Sequence, residues 1–493
     1  MCHKKLKIIL FGLSYMLFNS VKAQDLTYDF PPSRNYRIPK SEISVLKNRY
    51  DSIVKNYKFL PRREFDFVSE SFKEMKEEIE QLDSTKVLME RDLITVYLIN
   101  LKNKIIAANK DIVHYDFNIY TERSIEPNAY NMGAHIIVVE LDIISKLRTE
   151  EELTYVLCHE ISHDVLSHVE KGIKKLAEII NDKELKEKIR EINRQTYGSY
   201  RKANKVINSV VSKYMVHSRE NELEADSLGF ILYKKLSLSQ NHCVNTLAFL
   251  DSIDAPPYKL PINYNRHFSS EGYTLNQSLF IDEDYTDLGG NIDNVMFIPD
   301  SLKTHPNSLE RAGKIKKMMD NKSTVKTNNS SFEKIRELAK FEETEYLLNN
   351  DEYGLALYNC LHLSNNYPDN IYLKKSILYC LISLYEASLK HTYSSMTDLP
   401  DKHYLGEYNK FLIFINNLNS TMLNSMVTKY KETINFGSYT GDYAQFISIY
   451  MRKVMDSSLN EKELLKNYEE QFKNNFYSTV LKEKFKINKK NKK

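Results

Sequence analysis

Glycine and proline are scarce in this chain of 493 residues, at 13 and 12, and cysteine is scarcer still at 5. So little glycine and proline excludes collagen-like and low-complexity architectures. So little cysteine excludes a disulfide-stapled scaffold, and a chain this long buries enough core to do without one. Beyond residue 23 the cysteines are Cys158, Cys243, Cys360 and Cys380. Cys360 and Cys380 could meet across a helical hairpin, but buried free thiols are the better reading.

An excess of one charge is also lacking. The formal charge is +3, and four of the 69 basic residues (Lys4, Lys5, Lys7 and Lys22) lie in the first 23 residues, which contain no acid. Without that segment the balance is −1. Nothing in such a charge suggests a nucleic-acid binder. The Lys-rich stretch from Lys482 to Lys493 reads as a frayed, solvated tail. Beyond the N-terminus no run reaches the eighteen or so apolar residues of a membrane span.

What is present is an ordinary globular balance, 42% hydrophobic and 27% charged, with 34 Tyr and 22 Phe. By length the chain holds about three domains. Residues 1–23 read as an export signal. Lys4, Lys5 and Lys7 precede the apolar run Ile8 to Phe18, and Val21-Lys22-Ala23 offers a cleavage site before Gln24. Residues 24–84 form an extended lead-in, punctuated by Pro31, Pro32 and Pro39, and then a charged helical stretch from Ser41 to about Leu82.

A domain over 85–320 follows. Leu93, Val96, Ile99, Leu101, Ile105 and Ile106 mark a helix. Alternation at Val113, Tyr115, Phe117 and Ile119, and the apolar Ile136 to Val139, predict strands. Thr149-Glu150-Glu151-Glu152 is a capping box that opens a helix ending near Gly172. Charged helical residues continue over 173–205, another helix spans about Tyr214 to Leu236, and Ala255 to Pro299 is loop-rich. Asp282-Glu283-Asp284 lacks the spacing of a calcium loop and reads as solvated loop. Residues 321–331 form a polar linker to a helical region over 332–493.

Chemistry concentrates in His159-Glu160-Ile161-Ser162-His163. Residues four apart share a helix face, so both imidazoles can reach one metal ion, while Glu160 is turned to touch a water on that ion. Chance predicts about 0.02 such motifs in a chain of this size. Two His ligands, a carboxylate base and an open position make a zinc-hydrolase arrangement with one Zn2+ per chain.

A third ligand is needed. His168 follows His163 by five residues, but Leu166 stands where long His-rich motifs carry glycine, so His168 packs beside the site or faces solvent. Glu184 and Glu187 lie at a suitable distance, but neither has an Asp four residues on. Glu222 does, in Asp226, on the next helix. Glu222 alone would read as a solvated helix face, but paired with Asp226 it is the favoured third ligand, and Asp226, grouped with Glu160 as catalytic, can orient a ligand His.

These residues resemble the HtpX-like and CAAX-prenyl-endopeptidase-like zinc metallopeptidases, which are gluzincins. The resemblance runs through Asn128-Ala129 and Gly133, the His159 to His163 motif with His168, Ser218-Arg219 with Glu222 to Asp226, and Thr304-His305-Pro306 with Glu310-Arg311. It implies His159, His163 and Glu222 as zinc ligands, Glu160 as general base and Asp226 behind a ligand. It also implies Ile136 to Val139 as the edge on which a peptide lies extended. His305 and Arg311 would either approach the site or clamp the last helix. Met132-Gly133-Ala134 departs from the family's paired glycines, and Glu140-Leu141-Asp142 from its Gly-Leu-Leu-like turn; both bear on the substrate cleft.

In the C-terminal region Ala356 lies twelve residues before Pro368, as in the second helix of a tetratricopeptide repeat, and Tyr372 and Tyr379 begin a next helix. A tetratricopeptide-like pair and a generic helical domain both fit. The expected fold is α+β and mainly helical: a zincin-type domain with a small sheet, then a helical domain. The resemblance implies an exported endopeptidase in envelope protein quality control. It would be periplasmic, with association to the outer membrane as one option, and would act on unfolded or misassembled proteins and peptides. An envelope protein would bind through the helical region. The alternative is a chaperone-like scaffold with a structural zinc.

Overall fold

The computed structural model describes residues 38–85, 87–89, 92–193, 218–250, 261–269, 275–281, 308–320, 330–400, 406–434, 441–473 and 475–486. The proposed export signal, the Asp282 to Asp284 run and His305 lie outside them. The described residues fall into two compact units. The first takes those between Ser33 and Pro257 and between Gly289 and Glu343; the second takes those between Tyr258 and Leu288 and from Thr344 onward.

The first unit opens with helices α1 (Lys40–Lys55) and α2 (Arg62–Ser84). Val68, Phe72 and Ile79 share one buried face of α2, the stripe that an amphipathic surface helix needs. Strand β1 (Leu88–Met89) leads to α3 (Leu93–Ala108), whose N-cap Asp92 accepts hydrogen bonds from the Ile94 and Thr95 N–H groups at 2.7 and 3.0 Å. Strands β2 (Asn118–Glu122), β3 (Ala129–Asn131) and β4 (Ile136–Glu140) complete a four-stranded sheet in the order β1-β2-β4-β3. β2 and β4 are parallel, with Ile119 opposite Ile137; β3 is antiparallel to β4, with Tyr130 opposite Val138. Tyr120, Ile136 and Val138 on one face pack with Leu46, Tyr50 and Phe72 of the first two helices. On the other face the Thr121 hydroxyl lies 2.8 Å from that of Thr95.

Helices α4 (Leu141–Lys146), α5 (Glu150–Val165), α6 (His168–Asn181) and α7 (Lys183–Asn193) follow. Residues 218–234 form α8, and α9 (Asn241–Leu250) and α10 (Ser308–Met318) lie after it. The mainly helical α+β architecture is as the sequence predicts, and three details differ. The strand β2 begins at Asn118; Val113 is exposed after a 3-10 turn, so its alternation with Tyr115 reflects a loop. The motif helix ends at Val165, where Ser167 takes a left-handed φ of 54°, and Gly172 lies inside α6.

The third correction concerns the edge. Ile136 to Val139 is no edge, because β4 is paired on both sides and all five of its residues are buried. A strand covered on both faces reads as a continuous apolar run, and this run therefore marks the sheet interior. Beside it β3 is the outer strand, with no further strand on its open side among the described residues.

Helix α11 (Ser330–Asn349) contains the boundary between the units, at Glu343 and Thr344. Its early turns belong to the first unit: Phe332 stacks on Tyr97 at 6.4 Å, and buried Glu342 pairs with Arg123 at 3.2 Å. The polar stretch 321–331 is thus not where the compact units part.

The second unit is helical: α12 (Tyr353–Asn366), α13 (Ile371–Leu389), α14 (Glu407–Asn416), α15 (Ser420–Glu432), α16 (Asp442–Met455), α17 (Glu461–Gln471) and α18 (Phe476–Lys484). Aromatic rings fill it, which accounts for much of the tyrosine. Tyr379 packs against Tyr353 at 5.4 Å and Phe446 at 5.1 Å, and Tyr443 against Tyr477 at 5.1 Å. The buried Tyr372 hydroxyl donates to Glu345 at 2.8 Å. Tyr264, Phe268 and Phe280 surround Phe414 at 5.0, 5.6 and 5.2 Å, which ties residues 261–269 and 275–281 to this unit. The four described cysteines are buried and unbonded. No described helix is long and apolar enough to cross a membrane.

Phe72 is fully buried, packs on Tyr50 of α1 at 5.8 Å, and shares a core with Tyr120, Ile136 and Val138 of the sheet. Phe72→Ala should destabilise the first unit by about 3–5 kcal/mol in urea unfolding.

Candidate metal centre

The site is built on α5. Thr149 caps it by accepting the Glu152 N–H at 3.2 Å, and Glu152 reaches back to the Arg148 N–H at 2.7 Å. The reciprocal bond lands one residue earlier than a capping box requires. Glu150, Glu151 and Glu152 in the first turn oppose the positive end of the helix dipole. Leu153, Leu157 and Ile161 bury the helix, and His159 and His163 project four residues apart.

Helix α8 supplies the remaining groups from one face, at Glu222, Asp226 and Gly229. A Cβ on Gly229 would stand 3.1 Å from both the N and Cα of His159. The absent side chain lets α8 lie directly on the backbone that carries the first histidine. Nothing in the sequence reading singled out Gly229, although its place seven residues after Glu222 puts it on the same helix face.

Three acceptor atoms converge. His159 Nε2 lies 3.0 Å from His163 Nε2 and 3.6 Å from Glu222 Oε2, and His163 Nε2 lies 3.3 Å from Glu222 Oε1. Tetrahedral zinc with bonds of about 2.0–2.1 Å separates its ligand atoms by about 3.3–3.4 Å, so the triangle has zinc dimensions. Among the described residues this is the only group of three such side chains close enough to share an ion. Burial disfavours charge on His159, yet Asp226 and Glu222 raise its pKa to about 10. The site is built to hold positive charge where these atoms meet.

The outer partners are in place too. His159 Nδ1 is 3.1 Å from Asp226 Oδ1, which leaves Nε2 for the metal position. Arg311, on α10, is buried and donates to both Asp226 oxygens, through Nε at 2.7 Å and Nη2 at 2.8 Å; Nη2 also lies 3.3 Å from Glu222 Oε2. Burial works against the Asp226 charge, but Arg311 and His159 hold its carboxyl down to about 2. The sequence alone allows Arg311 at the site or as a clamp, and the structure puts it against Asp226 and Glu222. Glu160 is buried on the same turn as His159. His168 is buried beside His163, with Nδ1 3.0 Å from His163 Nδ1 and Nε2 3.3 Å from Glu224 Oε2. Burial, then the neighbouring His163, keeps its pKa down at about 4. Glu184 and Glu187 are exposed on α7, outside the cluster.

Residues 98–319 match the sequence profile of peptidase family M48. This stretch is an M48 peptidase. The match takes in α5, α8 and α10, and so every residue of the centre. M48 enzymes are zinc-dependent metallopeptidases, so the chain is a metallopeptidase acting on peptide bonds, and the His-His-Glu triangle fits the metal the family uses. No curated protein matches the chain.

Gly229→Ala should force α8 and α5 apart by a few tenths of an ångström, lowering thermal stability by about 1–3 kcal/mol and weakening zinc binding. Gly313 on α10 has no atom within 4 Å of its would-be Cβ, and Gly313→Ala should leave zinc binding unchanged and stabilise the helix by up to about 1 kcal/mol. Chelator competition and thermal melts of the two variants check both outcomes.

Proposed function

We propose that the M48 peptidase is an exported endopeptidase with His159, His163 and Glu222 as zinc ligands and Glu160 as general base. The observation that carries this reading is the convergence of three acceptor atoms at 3.0, 3.3 and 3.6 Å beside a buried glutamate on the motif helix. Zinc held by those atoms supplies Lewis acidity to a carbonyl and a water molecule. Glu160 then takes a proton from the attacking water and passes it to the leaving amine. Asp226, kept ionised by Arg311, orients His159. Strand β3, packed on α5 with an open side, suits an extended peptide, which it would hold by main-chain hydrogen bonds without reading its sequence.

Export is supported by the basic, apolar and small-residue segments of residues 1–23. Together with the family resemblance this favours turnover of unfolded or misassembled envelope proteins in the periplasm. The helical second unit, read as tetratricopeptide-like, would grip an envelope partner.

Glu160→Gln should retain one zinc per chain and lose at least about 10³-fold in cleavage of casein, since it removes the proton carrier and leaves the ligands. Equal cleavage by the variant and the unaltered chain would sink the assignment of Glu160. If export holds, protein recovered from the periplasmic fraction should begin at Gln24; an intact Met1 there would refute the cleavage site.

A further inference from the structure

Helix α8 places three carboxylates near the two histidines of the motif, at Glu222, Glu224 and Asp226. Glu222 joins the acceptor triangle and Asp226 lies against the outer nitrogen of His159. Among the described residues no carboxylate lies against the outer nitrogen of His163. It meets His168 instead: the two Nδ1 atoms are 3.0 Å apart and the rings stand at 78° to one another. His168 is the first residue of α6, and the left-handed turn at Ser167 starts that helix where its ring folds back on α5.

Unlike the two Nε2 atoms, which face the metal position, the two Nδ1 atoms face only each other and share one proton, whose owner decides which nitrogen of His163 is bare. His168 Nε2 faces Glu224 Oε2 at 3.3 Å, and a carboxylate only accepts. The proton of the His168 ring therefore sits on Nε2, its Nδ1 is an acceptor, and the proton between the rings belongs to His163 Nδ1. That leaves the lone pair of His163 Nε2 facing the acceptor triangle. Both motif histidines are then held in the same tautomer by carboxylates of one helix, directly through Asp226 and by way of an inserted imidazole through Glu224.

We propose that His168 is a positioning residue for the metal site, which fixes the Nδ1–H tautomer and ring orientation of His163 through a chain ending at Glu224. The inference rests on the reading of His163 as a zinc ligand. Outer partners of this kind are worth about 10- to 100-fold in metal affinity. His168→Phe keeps an aromatic ring and removes the acceptor, whereas His168→Asn restores an oxygen near the Nδ1 position.

The test is zinc affinity by chelator competition on the full chain, with thermal melts of the zinc-free proteins to register folding. His168→Phe should bind zinc about 10- to 100-fold more weakly, and His168→Asn within about threefold of the unaltered chain. Full affinity in His168→Phe, or equal losses in both variants, overturns the positioning role. His163→Ala separates the two readings. If it binds zinc as tightly as the unaltered chain, the ligand assignment fails and takes this inference with it. If it loses zinc while His168→Phe does not, the positioning role alone fails. Should His168→Phe not fold, the ring-nitrogen shifts of His163 in the unaltered zinc-free chain decide: protonated Nδ1 supports the role and protonated Nε2 refutes it.

Discussion

The rest of the centre depends on how closely α8 can lie on α5. At Gly229 α8 touches the backbone of His159, and a methyl group would fit only if the neighbour gave way by a few tenths of an ångström. That contact sets the height at which Asp226 and Glu222 cross the two imidazoles. The separations of 3.0 to 3.6 Å among the acceptor atoms follow from helix geometry once the contact is fixed. Packing of this density transmits small displacements, so a shift at Gly229 is felt at the acceptor atoms, where the tolerance of a metal site is about a few tenths of an ångström.

Charge imposes the second constraint. Two buried carboxylates on adjacent turns repel one another, and taking them out of water is costly unless opposite charge is close. Arg311 meets this need in part: its guanidinium spans both Asp226 oxygens and touches Glu222. A divalent ion at the triangle would supply the rest. A metal ion held there and Arg311 would therefore be complementary parts of one neutralised cluster, which would give the helix bearing Arg311 its place in the site.

The motif helix was plain in the sequence because its evidence is local: a cap, a 3.6-residue period and two histidines four apart. Glu222 with Asp226 was legible for the same reason, as a spacing on one helix. Long-range pairings were not. The apolar run Ile136 to Val139 announces burial, and burial cannot say whether a strand is central or marginal; pairing decides that, and it comes from β2 and β3. Arg311 is one arginine among many until the fold brings it to Asp226, and Gly229 marks a contact visible only between helices. The helix break at Ser167 carries no residue that forces it, whereas Gly172, the obvious stop signal, is absorbed inside α6. The division of α11 between the units is likewise set by tertiary partners, Arg123 and Tyr97 on one side and Tyr372 on the other.

Arg311 also comes late in the chain, eighty-five residues beyond the aspartate it neutralises. During synthesis the histidines and both carboxylates leave the ribosome well before it does. Until α10 emerges, a docked α8 would bury two like charges without their guanidinium, and that penalty favours leaving α8 undocked. Chain order thus acts as a timer: a nascent or prematurely ended polypeptide lacks the last counter-charge, and assembly of the centre awaits a nearly finished catalytic region.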